Sequence, residues 1–409
     1  MKQPVIVILG GNKLNFGIVD YCQQKGYFVV IVDWSPNAAL KGDLFLCIDV
    51  KEADKIITAL CEHGITEILG AYSSIDLAVR SVNAINAHYG LCHMSPSALV
   101  HALPKSEMTH IWQEKGLLNR ISKAYVDYKS EIKDLNCLSK LIIKPNVSSS
   151  SRGITIIEKG SSESMIKEAF NKAQNESFDS CVIVEEFVEG REFTCDMLGD
   201  KDGNVSVYAI SVKYHTSNTN NNKIAVKLHY NSNIYPDEVY ERIAEIGKQC
   251  YKALGFKASF GHLEILMKPN GVLSPVEIGA RSSGFITNPL VSLASGYDYI
   301  GDYFKVLQGA SVSGKDYING SHSSMYFFYD MPHDTTCVHP CSLIDFLPKK
   351  IESLYFDRDK VLAKGVQYTN ITNDNQRIGY EILTGPRSIL TIETVEKAEK
   401  QFIERNTQQ

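Results

Sequence analysis

Four nearly continuous apolar runs, VIVILGG, FVVIVDW, DLFLCIDV and TEILGAYS, alternate in the first hundred positions with stretches of helical periodicity, LNFGIVDYCQQKGY, KEADKIITALCEHGI and SIDLAVRSVNAINAHYG. A half-solvated strand alternates apolar and polar residues. One that is apolar throughout needs cover on both faces, which a parallel sheet with helical crossovers provides. Residues 1–97 therefore read as a doubly wound α/β domain. Its first turn, Gly10-Gly11-Asn12 through Gly17, with Asp33 closing the second strand, invites comparison with a dinucleotide fingerprint. Asn12 stands where that fingerprint needs glycine, so the segment is read as a tight βα turn and not as an NAD site.

From residue 98 the pattern changes. SPSALVHALPKSEMTHIWQEKGL is helical on either side of Pro104, KLIIKPNVSSSSRGITIIEKG reads strand, serine-rich turn, strand, and SSESMIKEAFNKAQN opens with a capping pattern. SCVIVEEFVEGREFTCDMLG gives two strands about a polar bend, and PDEVYERIAEIGKQCYKALGF is a helix. A chain of 409 residues exceeds one ordinary core. The expected units are an N-terminal α/β domain (1–97), a lid or central α+β subdomain (98–190), a metal and catalytic α+β subdomain (191–312) and a small C-terminal α+β unit (313–409). The polar tract SNTNNNK (217–223) is expected to be a loop.

With 44% apolar residues, 22% charged residues and a net charge of −5, the composition is that of an ordinary globular protein without a basic footprint for nucleic acid or membrane surfaces. No apolar run approaches membrane-spanning length and no secretory pattern follows MKQPVIVILGG, so a cytoplasmic protein is expected. The ten cysteines are scattered, mostly in apolar segments, and read as reduced thiols. HDTTCVHPC, with His333, Cys337, His339 and Cys341, fits no common zinc spacing and reads as an irregular loop.

The stretch GHLEILMKPNGVLSPVEIGAR carries the chemistry. It reads as a hairpin in which Glu264 and Glu277 interrupt apolar strands. With the turn centred on Pro269-Asn270, residue 264 faces 275, and Glu277 lies two residues further on the same face, a diagonal neighbour at roughly 7–8 Å. Two carboxylates on one half-buried face repel and lose hydration, a cost that a divalent cation offsets. Oxygen donors without thiols favour Mg²⁺ or Mn²⁺ over zinc, and so few protein ligands leave room for water and phosphate. His262 shares their face. Lys144 ends the strand LIIK, where a lysine either snorkels or meets an anion. The following SSSSRG loop offers hydroxyls and successive backbone N–H groups from Ser149, Ser150, Ser151 and Gly153.

Together these motifs resemble the ATP-grasp superfamily of carboxylate–amine ligases. Lys105 in PKSEM, then IIKPNVSSSSRG, VEEFVEGREF, GHLEI and VEIGAR, follow in that order over roughly residues 1–312. The resemblance implies that Lys105 and Lys144 contact the phosphates of ATP. Glu185, Glu186 and Val188 would line the adenine pocket largely through backbone groups, with Glu192 on the ribose. Glu264 and Glu277 would hold Mg²⁺, and Arg281 would steady an acyl phosphate. Ser282, Ser283 and Asn288, in the stretch after Arg281, fit two readings equally, orienting a substrate amino-acid carboxylate or capping a helix, with further pocket residues expected from Ser73-Ser74 and the YHTSNTNNNK segment. Many members carry Glu-x-Asn at the second metal position, whereas this chain has Glu277-Ile278-Gly279. The spacing is more like that of L-amino-acid ligases than of D-alanine ligases, and implies amino-acid carboxylate and amine substrates and, by analogy, a homodimer. Rivals are a bicarbonate-using carboxylase, a nucleotide-binding protein without activity and a nicotinamide-dependent oxidoreductase; no Met-Lys-Met biotin-carrier signature is present.

Overall fold

The computed structural model describes residues 3–148, 152–216, 224–284, 287–357, 361–369, 376–377 and 379–407. Among them the strands assemble into three sheets. The first is built from β1 (Val5–Leu9), α1 (Phe16–Gln24), β2 (Phe28–Asp33), β3 (Leu44–Cys47), α2 (Ala53–Glu62), β4 (Gly70–Tyr72) and α3 (Val79–His88). Its strands run β3-β2-β1-β4, all parallel. Val7, Leu9, Val30 and Val32 pack beneath α2 and α3, while Ile6, Ile8, Val29 and Ile31 pack beneath α1. Both sheet faces are covered, as strands without polar alternation require. The first turn is filled by its own side chains. Asp33 accepts a hydrogen bond from the Gly11 amide at 2.7 Å, and Asn15 donates to the carbonyls of Leu9 and Gly10 while accepting from Ser74.

Next come α4 (Pro96–Val100), α5 (Lys105–Glu114), β5 (Ser122–Tyr125), α6 (Glu131–Leu138), β6 (Leu141–Pro145), β7 (Thr155–Ile157), α7 (Glu163–Asn175) and β8 (Val182–Glu186). The second sheet is antiparallel, in the order β5-β8-β6-β7. Ile132 of α6 and Ile166, Ala169 and Phe170 of α7 complete its core. The segment before β5 packs elsewhere: Ala98, Ala102, Met108 and Trp112 belong to the core of the third sheet. The expected unit 98–190 thus divides in space near residue 120.

The third sheet gathers β9 (Arg191–Gly199), β10 (Val205–His215), β11 (Ala225–Tyr230), β12 (Ser259–Met267), β13 (Leu273–Gly279), β14 (His322–Phe328), β15 (Glu352–Asp357) and β16 (Tyr380–Pro386). Their order is β13-β12-β9-β10-β11-β14-β16-β15. The expected boundary at 312 does not cut it, because β14 pairs with β11 and extends the same antiparallel ladder. Four helices complete this part: α8 (Asp237–Ala253), α9 (Thr287–Ser295), α10 (Tyr299–Leu307) and α11 (Ile392–Thr407). One face packs against α5, α8 and α11, and the other against α9, α10 and the N-terminal domain. In the loop after β14, Cys337 and Cys341 both contact Asn406 of α11. No helix among the described residues is long and apolar enough to cross a membrane.

Candidate active site

The β12–β13 hairpin places the acidic pair, by a register that differs from the expected one twice. Gly271, at φ +79°, closes a loop in which the Lys268 amide bonds Val272 O at 2.9 Å, so Ile265 faces Pro275. A bulge at Val276 then adds another residue to β13, and Glu264 lies directly opposite Glu277. Each change alone would move Glu277 to the other face. Together they keep both carboxylates on one face as direct, not diagonal, neighbours.

Their repulsion is already relieved within the protein. Lys105 Nζ sits 2.9 Å from Glu277 Oε2, and Lys213 Nζ lies 2.6 Å from Glu264 Oε1 and 2.5 Å from Glu192 Oε1. Burial pushes the Glu277 carboxyl up, but Lys105 and Lys144 draw it well below the usual carboxylate range. Glu192 is held low in the same way, against burial, by Lys213 and by His215 at 3.0 Å. Burial favours loss of the Lys213 proton, and Glu192 and Glu264 more than reverse it. Glu192, expected on a ribose, is thus committed to a charge network on β9 and β10. Lys213 was legible only as a lysine in the apolar strand NVSVYAISVKYH, the same signal that marked Lys144.

Arg281, just past β13, is fixed by a two-point ion pair: Nε to Asp76 Oδ1 at 2.7 Å and Nη2 to Asp76 Oδ2 at 2.8 Å. Asp76 comes from the N-terminal domain, inside a segment read as helical, and nothing in the sequence marked it. The guanidinium lies against Gly279, where an added Cβ would meet Arg281 Cγ at 3.2 Å and Cζ at 3.3 Å. A side chain at position 279 would therefore press on Arg281, which would have to give by a few tenths of an ångström. His262 packs beside Glu264's strand neighbours with Nδ1 2.8 Å from the fully buried Asp196.

Ser282 and Asn288 are not at the cavity. Both are buried, and the Ser282 hydroxyl and the Asn288 amide each bond the phenol of Tyr72 on β4. They fasten the N-terminal domain to the third sheet, because a buried phenol needs polar partners. Ser283 does border the cavity, as does Ser74.

On the lid sheet, Lys144 Nζ is 2.7 Å from Glu185 Oε2, and the same carboxylate accepts from Ser122 at 2.9 Å and from Arg120 at 3.2 Å. Burial raises the Glu185 carboxyl, and Lys144 and Arg120 together bring it below its ordinary value. Arg120 also donates to Ser274 Oγ and Pro275 O, which ties the lid to β13. Glu185, Glu186, Val188, Lys144, Glu192 and Gly153 do not border the cavity. Gly153 is buried at φ +70° against Pro145. Ser149, Ser150 and Ser151, and the tract 217–223, lie outside the described residues.

Glu264, Glu277, Lys105, Lys213, Arg281 and His262 border one cavity of about 540 Å³, between the N-terminal domain, α5, the lid loop at Val147-Ser148 and the third sheet. Among the described residues, no group of three or more His, Cys, Asp or Glu side chains is placed to hold a metal. Two facing carboxylates without a third protein ligand fit a hard divalent cation that takes its other ligands from water and phosphate.

Residues 138–288 match the family described as ATP-grasp domain. D-alanine–D-alanine ligase of Cupriavidus taiwanensis is 25% identical over 228 residues, 52% of this chain and 64% of that protein. The match thus spans under two thirds of that relative's length. L-amino acid ligase from Bacillus licheniformis superposes with a TM-score of 0.74 at 15% identity, covering 99% of this chain and 98% of the other. N5-carboxyaminoimidazole ribonucleotide synthetase from Thermotoga maritima gives 0.65 at 12% identity, with 99% of each chain covered.

Proposed function

We propose that the protein is an ATP-dependent carboxylate–amine ligase that joins two amino acids, by way of an acyl phosphate, and releases ADP and phosphate. The observation that carries this is the direct opposition of Glu264 and Glu277 in the cavity that also holds Lys105 and Arg281. Glu264 and Glu277 would hold Mg²⁺, which when bound neutralises phosphate charge. Lys105 and Lys144 exchange their carboxylate partners for phosphate oxygens. Arg281, pre-set by Asp76, meets the charge that develops on the substrate carboxylate. His262, held at Nδ1 by Asp196, leaves Nε2 as the ring nitrogen for the incoming amine. Phosphoryl transfer of this kind asks mainly for positioning and charge stabilisation, which fixed ion pairs supply.

Metal binding and dipeptide formation are parts of this proposal, as are a cytoplasmic location and pairing of two copies through the N-terminal domain. The test is an ADP-release screen over amino-acid pairs with Mg²⁺, with bicarbonate as a separate arm. Amino-acid-dependent ADP release is expected; release with bicarbonate alone would favour carboxyphosphate chemistry instead. Arg281→Ala is expected to lower turnover about 10²–10³-fold, as loss of a transition-state donor does, with near-normal turnover contradicting the role of Arg281.

A further inference from the structure

The sheet face that bears the acidic pair does not stop at Lys213. Lys213 is opposite Leu228 on β11, Leu228 is opposite Tyr326 on β14, and Tyr326 is opposite Ile382 on β16. Directly opposed residues of antiparallel strands share a face. The charged row of Glu277, Glu264, Glu192 and Lys213 therefore runs without a break into an apolar, aromatic stretch. Phe328 and Tyr380, opposed to each other, belong to that stretch.

One cavity spans both ends. Glu264, Glu277 and Arg281 border it on one side, and Leu228, Tyr326, Phe328 and Tyr380 on the other. The rings form a wall: the Tyr326 and Phe328 centroids are 4.1 Å apart, and Tyr326 and Tyr380 meet edge to face at 5.5 Å. Burial, and then Asp357, push the Tyr380 phenol up to about 12, so it is neutral throughout the physiological range. Arg377 places its Cζ over the Phe328 ring, 3.9 Å from the centroid, and donates to Ala225 O at 3.0 Å. Asp357 borders the same cavity. Among the described residues, Arg377 and Asp357 bring one charge of each sign to this end of the cavity, and Leu228, Tyr326, Phe328 and Tyr380 bring none.

We infer, resting on the ligase reading above, that the C-terminal unit supplies the side-chain subsite for one of the two amino-acid substrates, and that this subsite takes a large apolar side chain. The reacting group lies by Glu264, Glu277 and Arg281, and the side chain crosses β11 toward Tyr326 and Phe328. An aromatic side chain buries roughly 150–250 Å². A charged one placed against the rings gives up hydration that the rings do not replace. The cavity, at about 540 Å³, falls within the roughly 300–1,000 Å³ typical of small-molecule sites.

The experiment measures ADP release by the full-length protein with Mg²⁺-ATP and pairs of L- and D-amino acids that contrast phenylalanine, leucine, glycine, glutamate and lysine. It is repeated for Phe328→Ala and Tyr380→Ala, with the KM for ATP and thermal melting as controls. Tyr380 is only half-buried and carries the test if Phe328→Ala fails to fold. The wild type is expected to prefer phenylalanine or leucine in one position. The variants are expected to lower kcat/KM for that substrate relative to glycine by about 10–100-fold, with the KM for ATP unchanged. A wild-type preference for glycine, glutamate or lysine, or an equal loss with every substrate, overturns the inference and leaves the ligase reading standing. ADP release with bicarbonate alone, or with no amino-acid pair, overturns both.

Discussion

At position 279 the absence of a side chain leaves room for Arg281. Asparagine there would add an amide beside Glu277, and its Cβ would crowd the Arg281 side chain against which Gly279 packs. Gly279→Asn is therefore expected to loosen the Asp76–Arg281 pair and lower turnover about 10²-fold, since small displacements of a positioning group cost that much. Mg²⁺ titrations of both proteins check it: a tighter Mg²⁺ response with full turnover would contradict the steric account. Glu277 makes a second prediction. Its folded-state carboxyl is held below the ordinary value by Lys105 and Lys144, despite burial. The stability it contributes is then fully present above the unfolded value near about 4.3 and is lost as pH falls through the depressed folded value. In metal-free acid denaturation, Glu277→Gln should show a shallower loss of stability than the wild type below that pH. Parallel curves would contradict the ion pair. Lys144 and the two glutamates were legible because a charge inside an apolar strand or at its end needs a partner, whereas Lys105, at the start of α5, was marked only by the resemblance. Asp76 and Arg120 were not, since each lies where a charge is ordinary and its partner is remote in sequence.

The hairpin shows how element geometry was half legible. Pro269-Asn270-Gly271 forms a three-residue loop whose glycine takes a left-handed conformation, a turn that its sequence permits as readily as a two-residue turn. The bulge at Val276 carries no such mark, because two-against-one pairing is set by what both strands pack against. Agreement on the shared face came from two shifts that cancel. The lid depends on a different joint. Arg120 connects Glu185 on β8 with Ser274 and Pro275 on β13, and both charged side chains are only 2% exposed. Arg120→Met leaves Glu185 with one cation and frees the lid sheet from the hairpin. The expected loss is about 3–5 kcal/mol, the cost of breaking a buried pair by removing one partner. Urea denaturation measures it, and a loss under about 1 kcal/mol would assign the lid's attachment to other contacts.

For the whole molecule, the parallel N-terminal domain was legible because two-sided apolar strands admit few other arrangements. The C-terminal boundary was not: β14 is buried on both faces from Ser323 to Phe328, and nothing local says which sheet β14, β15 and β16 extend. Tyr72, Ser282 and Asn288 illustrate the same limit, since small polar residues near a site can be spent on fastening domains together. The central claim is that Glu264 and Glu277, relieved in this structure by Lys213 and Lys105, are the metal ligands beneath the terminal phosphates of a bound nucleotide. Crystals grown with Mn²⁺ and a non-hydrolysable ATP analogue test it through the anomalous signal of manganese. The account predicts a peak within coordination distance of both carboxylates, with Lys105 turned to phosphate. A peak elsewhere, with Lys105 still on Glu277 and Lys213 still on Glu264, would contradict it.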